Sequence, residues 1–286
     1  MKITKVLVFV FLIALFSITA LSHSEIAISI QGSEYEIPAI LTVPDIEGFD
    51  IPAGVIMVHG FGSSKNEVGD FYKRLANDMA DRGITSVRFD FPGSGDHTLG
   101  FEKTNVALMV RDTMEVLDWF EGTVNIDKEN IGMVGFSLGG VVVSSVASND
   151  SRIKALALWS TPGNMAMSQL DLYNTYYGET KEKEFVTVDL GWRTINLAKS
   201  YFDSRYGFFP IHDISKYQNP LLVIAGENDE EQPYYAREFA FNAGSHDVTL
   251  KIVDDADHIY HVLTGDQSYA LEVINTTANW LEEKLR

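Results

Sequence analysis

The sequence contains no cysteine among its 286 residues. This absence excludes disulfide bonds, thiol nucleophiles, zinc–thiolate sites and iron–sulfur clusters. Proline is scarce, at 8 residues, and the 22 glycines follow no collagen-like period. Basic residues are also few, since 22 Lys and Arg stand against 40 Asp and Glu and give a formal charge of −18. A surface this acidic repels phosphate backbones, so we expect no nucleic-acid partner.

The remaining composition is typical of a folded globular protein. Hydrophobic residues make up 45% of the chain, charged residues 22% and aromatic residues 12%. These values exclude wholesale disorder and fibrous classes. The length is compatible with one large α/β domain.

Residues 1–22 are expected to lie outside that domain. Lys2 and Lys5 precede an uninterrupted run of apolar or small residues at 6–21. This order is typical of a secretory signal peptide, with cleavage near Ser22, and an uncleaved N-terminal anchor is the alternative. We therefore expect an exported protein, either secreted, periplasmic or at the cell surface. It would contact a membrane only through this segment, if the segment is retained.

The rest of the chain, 23–286, is predicted to form a single α/β domain in which strands alternate with helices. Strands are predicted at 25–30, 36–43, 54–58, 85–89, 130–134, 154–159, 220–225 and 247–253. Helices are predicted at 66–82, 101–120, 138–146, 233–242 and 268–285. Apolar strands separated by helices favour a mostly parallel sheet that is covered on both faces. The first two strands form a hairpin pattern that would add an antiparallel edge.

Residues 164–217 interrupt this alternation between the sixth and seventh predicted strands. The segment is too long for a simple helical crossover. Its aromatic residues include Tyr173, Tyr176, Tyr177, Trp192, Tyr201, Phe202, Tyr206, Phe208 and Phe209. Long insertions often act as lids or binding walls, and we expect a lid here. The alternative is an embellishment whose aromatic side chains pack only on one another.

The strongest chemical signal is the sequence GFSLG at 135–139. It follows a predicted strand and opens a predicted helix, which is the context that a G-x-S-x-G nucleophile turn requires. The turn is sharp, so bulky side chains two residues to either side of Ser137 would collide. The start of the following helix directs free N–H groups at the site. We therefore predict Ser137 as a nucleophile.

A serine hydroxyl needs a base to remove its proton, and the base needs an acid to orient it. With this motif the acid and then the histidine follow the serine along the chain. His258 comes directly after the last predicted strand and is our predicted base, with His261 as the alternative. His246 precedes that strand and should lie at the opposite end of the sheet.

The acid should follow the seventh predicted strand. Asp229 lies far enough into the next loop to turn back toward the histidine, while Glu227 and Glu230 are the alternatives. The acidic residues here and at 254–257 would also suit calcium, but no regular ligand spacing supports a metal site.

Two further loops are expected near the nucleophile. HGFG at 59–62 follows the third strand, where a loop supplies one oxyanion-binding N–H, and the residue after the nucleophile supplies the other. We assign these donors to Phe61 and Leu138, and we expect His59 to brace the loop. The segment 90–96 carries two glycines that suggest a tight turn near the pocket, but it lacks the pattern of a dinucleotide site.

Four motifs in this order resemble those of the α/β-hydrolase superfamily of serine hydrolases. They are HGFG at 59–62, DFPGSG at 90–95, GFSLGG at 135–140 and the pair GENDEEQP and DADH, which ends at 258. The resemblance extends from the first hairpin to the last helix. Within the superfamily the chain is similar to the cinnamoyl (feruloyl) esterase-like branch, whose members share an opening hairpin and a modest lid after the sixth strand.

The resemblance implies that Ser137, Asp229 and His258 form a catalytic triad, with Phe61 and Leu138 as oxyanion donors. It implies an α/β-hydrolase fold, with an eight-stranded and mostly parallel sheet. Relatives often carry His and Gln beside the nucleophile, in the form G-H-S-Q-G, whereas this chain has GFSLG at 135–139. That difference leaves the backbone donor intact and weakens any inference about substrate.

The expected activity is ester hydrolysis through an acyl-enzyme, with no metal or organic cofactor. A small-molecule ester is the expected partner, and the aromatic insertion favours an aromatic (hydroxycinnamoyl) or short-chain acyl group. One alternative is a serine exopeptidase that uses acidic residues of the insertion, Glu179, Glu182 or Glu184, to hold a free amine. Another is a lipase-like enzyme with a small apolar lid face. The alternative of another class is a non-catalytic binding protein with the same fold.

Overall fold

A computed structural model of the protein describes residues 23–45 and 51–286. The strands are β1 (His23–Gln31), β2 (Glu36–Pro44), β3 (Gly54–Val58), β4 (Thr85–Phe89), β5 (Ile131–Phe136), β6 (Ile153–Trp159), β7 (Phe185–Asp189), β8 (Thr194–Ala198), β9 (Leu221–Gly226) and β10 (Val248–Val253). The α-helices are α1 (Phe71–Asp81), α2 (Val106–Thr123), α3 (Leu138–Ala147), α4 (Leu170–Tyr176), α5 (Lys199–Ser204), α6 (Pro210–Asp213), α7 (Gln232–Asn242) and α8 (Ser268–Lys284). Short 3₁₀ turns occupy Val68–Asp70, Phe101–Lys103, Glu179–Lys181, Arg205–Gly207 and Ile214–Lys216.

The predicted signal segment, 1–22, lies outside the described residues, and its export role stays a prediction. Within the described ranges, no helix combines the length and apolarity that crossing a bilayer requires.

Eight strands form one sheet in the order β1-β2-β4-β3-β5-β6-β9-β10. The hairpin of β1 and β2 is antiparallel and joins β4 in antiparallel fashion, whereas every other pair in this sheet is parallel. This confirms the predicted fold class, with its parallel centre and its antiparallel edge. Because parallel strands share one direction, the loops that follow β3, β5, β9 and β10 all leave from the same edge of the sheet.

The central strands are buried on both faces, because each one divides its apolar side chains between two hydrophobic clusters. In β5, Ile131 and Met133 join the cluster on the α2 and α3 side, while Val134 and Phe136 join the cluster on the α1 and α8 side. The same alternation occurs in β3 and β9. Helices therefore cover both faces, as the continuous apolar runs predict.

The first two helices begin five residues later than the sequence predicts. Before α1, Glu67, Gly69 and Asp70 have positive φ angles, which no α-helix accommodates. Before α2, the Asn105 side chain accepts a hydrogen bond from the Leu108 N–H and thereby caps the helix at Val106. Local backbone geometry and capping set these boundaries, and hydrophobic periodicity does not report them.

The long insertion contains a two-stranded antiparallel hairpin, β7 and β8, which the sequence analysis did not predict. In this hairpin Val186, Val188, Ile195 and Leu197 are buried and alternate with more exposed residues. This alternation with a period of two is typical of β-strands and is present in the sequence of the insertion. Three short helices, α4, α5 and α6, complete the segment.

Helix α3 starts in tight contact with the end of β3. A Cβ atom added at Gly139 would lie 2.0 Å from the Val58 carbonyl oxygen, and that oxygen belongs to rigid backbone. By contrast, a Cβ atom at Gly122 in α2 would meet nothing within 4 Å. The two helical glycines therefore form a matched pair for testing how closely the sheet and α3 are packed.

We predict that Gly139→Ala lowers the free energy of unfolding by about 1–3 kcal/mol, because α3 must move away from β3. Gly122→Ala should instead raise it by roughly 0.5–1 kcal/mol, because alanine restricts the unfolded chain and favours a helix. Urea unfolding of both variants and of the parent measures these changes. An equal effect of the two substitutions would show that α3 can shift without cost.

Candidate active site

Ser137 lies in a strained turn between β5 and α3. Its φ and ψ angles are 52° and −119°, outside the regions that residues with a side chain normally occupy. The turn is fixed by a 2.8 Å hydrogen bond from the Ser137 N–H to the Trp159 carbonyl oxygen. It also requires Gly135, where a Cβ atom would lie 2.5 Å from Val143 Cγ2. The geometry is that of a nucleophile turn, which exposes the serine side chain beyond the strand.

The structure brings Ser137, His258 and Asp229 together. His258 Nε2 lies 3.1 Å from Ser137 Oγ, and His258 Nδ1 lies 2.8 Å from Asp229 Oδ2. Asp229 is only 6% exposed, so its carboxylate is largely shielded from water. With the imidazole proton on Nδ1, that nitrogen donates to Asp229 and Nε2 accepts the serine hydroxyl proton. The arrangement can therefore deprotonate the serine and stabilise the imidazolium that results.

The loops that carry His258 and Asp229 are held against each other. A Cβ atom at Gly226 would lie 2.4 Å from the Ala256 carbonyl oxygen, so only glycine permits this approach. The Asn228 N–H donates to the same carbonyl over 2.8 Å. On the other side, the buried hydroxyl of Tyr260 donates to the Ile224 carbonyl oxygen over 3.1 Å. These contacts join the end of β9 to the turn after β10.

Among the described residues, none of the alternative acids and bases forms a hydrogen bond to Ser137 or His258. Glu227 accepts a hydrogen bond from the Asp255 N–H over 3.0 Å and is exposed. His261 pairs with Asp257, at 3.2 Å, and packs its ring edge-on against Tyr269. Glu230, the remaining alternative acid, is exposed in the turn after β9. His246, which the sequence analysis excluded as the base, is exposed ahead of β10.

Phe61 and Leu138 line one narrow crevice beside the nucleophile turn. Leu138 is the first residue of α3, so its N–H has no partner within the helix. In the described part of the chain, neither the Phe61 N–H nor the Leu138 N–H donates a hydrogen bond to another group. Both donors are thus available to a ligand, although the oxyanion role assigned to them stays a prediction.

His59 braces the loop that carries Phe61. The ring is buried, with Nδ1 2.8 Å from the Gly60 carbonyl oxygen and Nε2 accepting from the Phe91 N–H at 3.3 Å. Burial lowers the pKa of His59, although nearby carboxylates oppose the shift. The neutral ring therefore links two loops and donates to the carbonyl oxygen of the peptide group that contains the Phe61 N–H.

The DFPGSG motif forms a second buried turn next to this loop. Asp90 is completely buried and accepts hydrogen bonds from Lys65 Nζ (2.5 Å), the Lys65 N–H (2.7 Å) and the Asp96 N–H (2.9 Å). A Cβ atom at Gly95 would lie 2.3 Å from the Asp90 carboxylate, which explains the glycine. The motif therefore acts as a structural turn.

An open cleft of about 660 Å³ contains Ser137 and His258. Four further carboxylates line it, namely those of Asp171, Glu230, Glu231 and Asp257, in addition to Asp229. No Lys or Arg is among the described residues that line this cleft. Apolar contact comes from Met167 and Leu170, which are 53% and 38% exposed. The cleft is therefore anionic, with a small apolar area.

The aromatic residues of the insertion do not line this cleft in the described structure. Tyr173 stacks on Tyr177 with ring centroids 4.5 Å apart, and both rings meet Phe202 at 6.0 Å. Tyr201 is buried and contacts Phe61, with ring centroids 5.2 Å apart. Most of the aromatic contacts thus lie within the insertion, and one supports the loop that holds the predicted oxyanion donor.

Sequence reasoning missed three residues that shape the site. Glu67 accepts from the Gly60 N–H, Arg193 contacts the Gly62 carbonyl oxygen, and Tyr260 anchors the histidine loop. None belongs to a recognised motif. Each one bonds to a backbone group at least seven residues away in the sequence, so no short pattern links the two partners. Across 23–45 and 51–286, no group of three or more histidine or acidic side chains is placed to hold a metal ion.

Known proteins resemble this chain over part of their length. An uncharacterised 31.7 kDa protein from the traX–finO intergenic region of Escherichia coli is 30% identical over 142 residues, which are 48% of this chain and 46% of the relative. The 2,6-dihydropseudooxynicotine hydrolase of Paenarthrobacter nicotinovorans is 26% identical over 231 residues, 79% of this chain and 57% of that enzyme. The chain thus spans about half the length of the curated relatives it matches.

Two solved structures show the same fold. The ferulic acid complex of Est1E from Butyrivibrio proteoclasticus has a TM-score of 0.72 at 20% identity, covering 90% of this chain and 99% of Est1E. Dienelactone hydrolase from Anabaena variabilis has a TM-score of 0.63 at 15% identity, covering 92% and 99%. A model of the alpha/beta hydrolase family matches residues 55–271, well over half of the sequence and including every residue of the site described above. The chain therefore belongs to the alpha/beta hydrolase family.

Proposed function

We propose that the protein is a serine carboxylic-ester hydrolase that works through an acyl-enzyme. The observation that supports this proposal is the chain of two hydrogen bonds, 3.1 Å and 2.8 Å long, that joins Ser137 to His258 and His258 to Asp229. Ser137 and His258 line a cleft that is large enough for a small ester. A serine with a base and an orienting acid is the arrangement that acyl transfer requires.

In the proposed first step, Ser137 Oγ attacks the ester carbonyl carbon while His258 Nε2 takes the hydroxyl proton. Asp229 holds the Nδ1–H and stabilises the imidazolium. The tetrahedral intermediate then collapses, the C–O bond to the alcohol breaks, and His258 returns its proton to that alcohol. A water molecule repeats the sequence on the acyl-enzyme, which releases the acid and restores Ser137.

The negative charge of each intermediate is proposed to rest on the N–H groups of Phe61 and Leu138. Leu138 begins α3, so the positive end of the helix dipole lies at its N–H. The Phe61 peptide is polarised by the His59 ring, which donates to the Gly60 carbonyl oxygen of the same peptide group. Fixed donors of this kind stabilise the transition state more than the substrate.

For the substrate, the cleft supports a short neutral ester better than an anionic one. Its small apolar area, Met167 and Leu170, suits a short acyl chain. The insertion's aromatic rings lie elsewhere, so they lend no support to a hydroxycinnamoyl pocket. The predicted lid role of 164–217 is supported only through α4 and the residues before it, which form one wall of the cleft.

A second candidate is hydrolysis of a substrate with a free amine, as in an exopeptidase. The carboxylates of Asp171, Glu230 and Glu231 favour it, because they line the cleft without an ion pair to any described basic residue. The acids that the sequence suggested for this role do not line the cleft; Glu179, for example, pairs with Lys183. The lipase alternative has weaker support. Its apolar lid face would consist of Met165, Met167 and Leu170, but Met165 is buried and only the other two are exposed.

The first test is covalent labelling with a fluorophosphonate, combined with hydrolysis of p-nitrophenyl butyrate. We expect the parent protein to be labelled and to lose labelling in Ser137→Ala, with a fall in kcat of about a million-fold. A variant that keeps a tenth of the activity would remove Ser137 from the mechanism. A parent that neither reacts nor hydrolyses any ester would favour the non-catalytic binding protein.

A second prediction separates the two acids of the loop after β9. Asp229→Asn should lower kcat by about ten-thousand-fold, because the amide favours the wrong imidazole tautomer. Glu227→Gln is the matched control and should leave kcat little changed, since the Glu227 side chain bonds to the Asp255 N–H and not to His258 in the described structure. Steady-state kinetics on p-nitrophenyl butyrate measures both. The reverse pattern would assign the orienting role to Glu227.

A third prediction concerns charge. We expect p-nitrophenyl hydrogen succinate to react with a kcat/KM about tenfold or more below that of p-nitrophenyl butyrate, because its carboxylate enters an anionic cleft. This difference in kcat/KM between the two substrates should become smaller in the double variant Glu230→Gln/Glu231→Gln and at high ionic strength. Uncatalysed hydrolysis is subtracted throughout.

The control for this measurement is Glu182→Gln/Glu184→Gln, which removes the same charge from exposed positions outside the cleft. A difference that becomes smaller to the same extent in both double variants would point to net charge alone and contradict a local effect. Alanine p-nitroanilide in the same series tests the second candidate: turnover that depends on Ser137 and falls in Glu230→Gln/Glu231→Gln would favour the exopeptidase.

A further inference from the structure

Arg193 joins the insertion to two loops of the main domain. It lies in the turn of the β7–β8 hairpin, where the Leu190 N–H bonds to the Arg193 carbonyl oxygen over 2.9 Å. Its side chain reaches across the fold: Nη1 donates to the Gly62 carbonyl oxygen over 2.7 Å, and Nη2 donates to the Gly93 carbonyl oxygen over 2.8 Å. One guanidinium group therefore binds two backbone loops that are far apart in sequence.

This use of an arginine is unusual in so acidic a chain. Acidic residues outnumber basic ones by 40 to 22, yet Arg193 forms no ion pair with a carboxylate of the described residues. It is half-buried, with its guanidinium carbon 5.7 Å from the Phe101 ring centroid. Burial without a counter-charge lowers the pKa of Arg193. The guanidinium group thus binds two backbone carbonyl oxygens and no carboxylate of the described residues. Its planar arrangement of N–H donors allows it to bind both oxygens at once.

The turn that Arg193 holds is the one that carries Phe61. Gly62 has a φ of 68°, so the chain reverses there directly after Phe61. The neighbouring Trp192 covers this position, since a Cβ atom at Gly62 would lie 2.8 Å from Trp192 Cη2. The tip of the hairpin therefore packs on the turn as well as bonding to it.

The same turn is fixed from the opposite side by Glu67. This buried carboxylate accepts from the Gly60 N–H over 2.5 Å and from the Ser63 hydroxyl over 2.8 Å. Glu67 itself has a φ of 60°, a strained value for a residue with a side chain. Glu67 thus holds the N–H before Phe61, and Arg193 holds the carbonyl after it.

We propose that Arg193 is a positioning residue for the oxyanion site, through which the hairpin of the insertion fixes the direction of the Phe61 N–H. The inference rests on the proposed function. Arg193 does not line the cleft, so it acts through the turn at 59–63 and not on the substrate. Its effect should therefore fall on transition-state stabilisation and leave ground-state binding almost unchanged.

The experiment compares Arg193→Met, Arg193→Lys and Arg193→Ala in the full chain, with p-nitrophenyl butyrate as substrate. Loss of one oxyanion donor typically costs about a hundred- to a thousand-fold in kcat, so a misdirected donor should cost about tenfold or more. We expect Arg193→Met to lower kcat to this extent with little change in KM. Arg193→Lys should recover only part of the loss, because an ammonium group cannot bind both carbonyls in the same geometry.

Arg237→Met is the matched control, because Arg237 is exposed, does not line the cleft and donates to the backbone carbonyl of Pro233 rather than to the turn at 59–63. Added guanidinium ion should raise kcat of Arg193→Ala and leave the control unchanged, a response that a purely structural role would not give. Urea unfolding reports the folded fraction of every variant.

The inference is overturned if Arg193→Met and Arg237→Met have equal kcat, or if the lost activity follows the unfolded fraction and guanidinium restores none of it. Failure of the proposed function is a separate result, since it appears in the parent protein and in Ser137→Ala. An active parent with an inactive Ser137→Ala and an unaffected Arg193→Met would remove only the role of Arg193.

Discussion

The site depends on one steric constraint, the close contact of helix α3 with the ends of β3 and β5. Ser137 has a φ of 52°, a conformation that a residue with a side chain adopts only when its surroundings leave no alternative. Gly135 and Gly139 allow those surroundings, because a Cβ atom at either one would overlap the facing turn or strand. The resulting turn leaves the Ser137 side chain partly exposed and the Leu138 N–H without a hydrogen-bond partner among the described residues. The proposed nucleophile and the proposed oxyanion donor thus both depend on one packing contact.

Sheet topology explains why the other groups meet this turn. The loops after β9 and β10 leave from the same edge of the parallel sheet, and these two strands are neighbours. A carboxylate and an imidazole that follow them can therefore approach each other, and the contacts of Gly226 and Asn228 fix the distance. The loop after β3 lies next to β5 for the same reason. Strand order brings the loops together, and close backbone contacts between loops set their geometry.

The sequence predicts the sheet and the motif residues well because both are encoded locally. Apolar runs identified six strands of the main sheet and a hairpin pattern identified the other two, and the candidate site residues followed from their positions after those strands. The late start of α1 was missed because hydrophobic periodicity does not report the positive φ angles at Glu67 and Asp70. Arg193 was missed for a related reason: its partners lie 131 and 100 residues away, in loops that no local pattern links to the hairpin.

The insertion has a different relation to the site from the one that its aromatic content suggested. Its rings stack mainly on one another, while Tyr201 and Arg193 bear on the loop that carries Phe61. The part that faces the cleft is the region around α4, where Asp171 adds a carboxylate to those of Glu230 and Glu231. Support of the proposed oxyanion loop and lining of the cleft thus fall to separate parts of one segment. The two parts meet at Gln169, which lines the cleft and accepts a 2.7 Å hydrogen bond from the Tyr201 hydroxyl. A charge substitution at Asp171 would change the cleft and remove neither this bond nor the contact of Arg193 with Gly62.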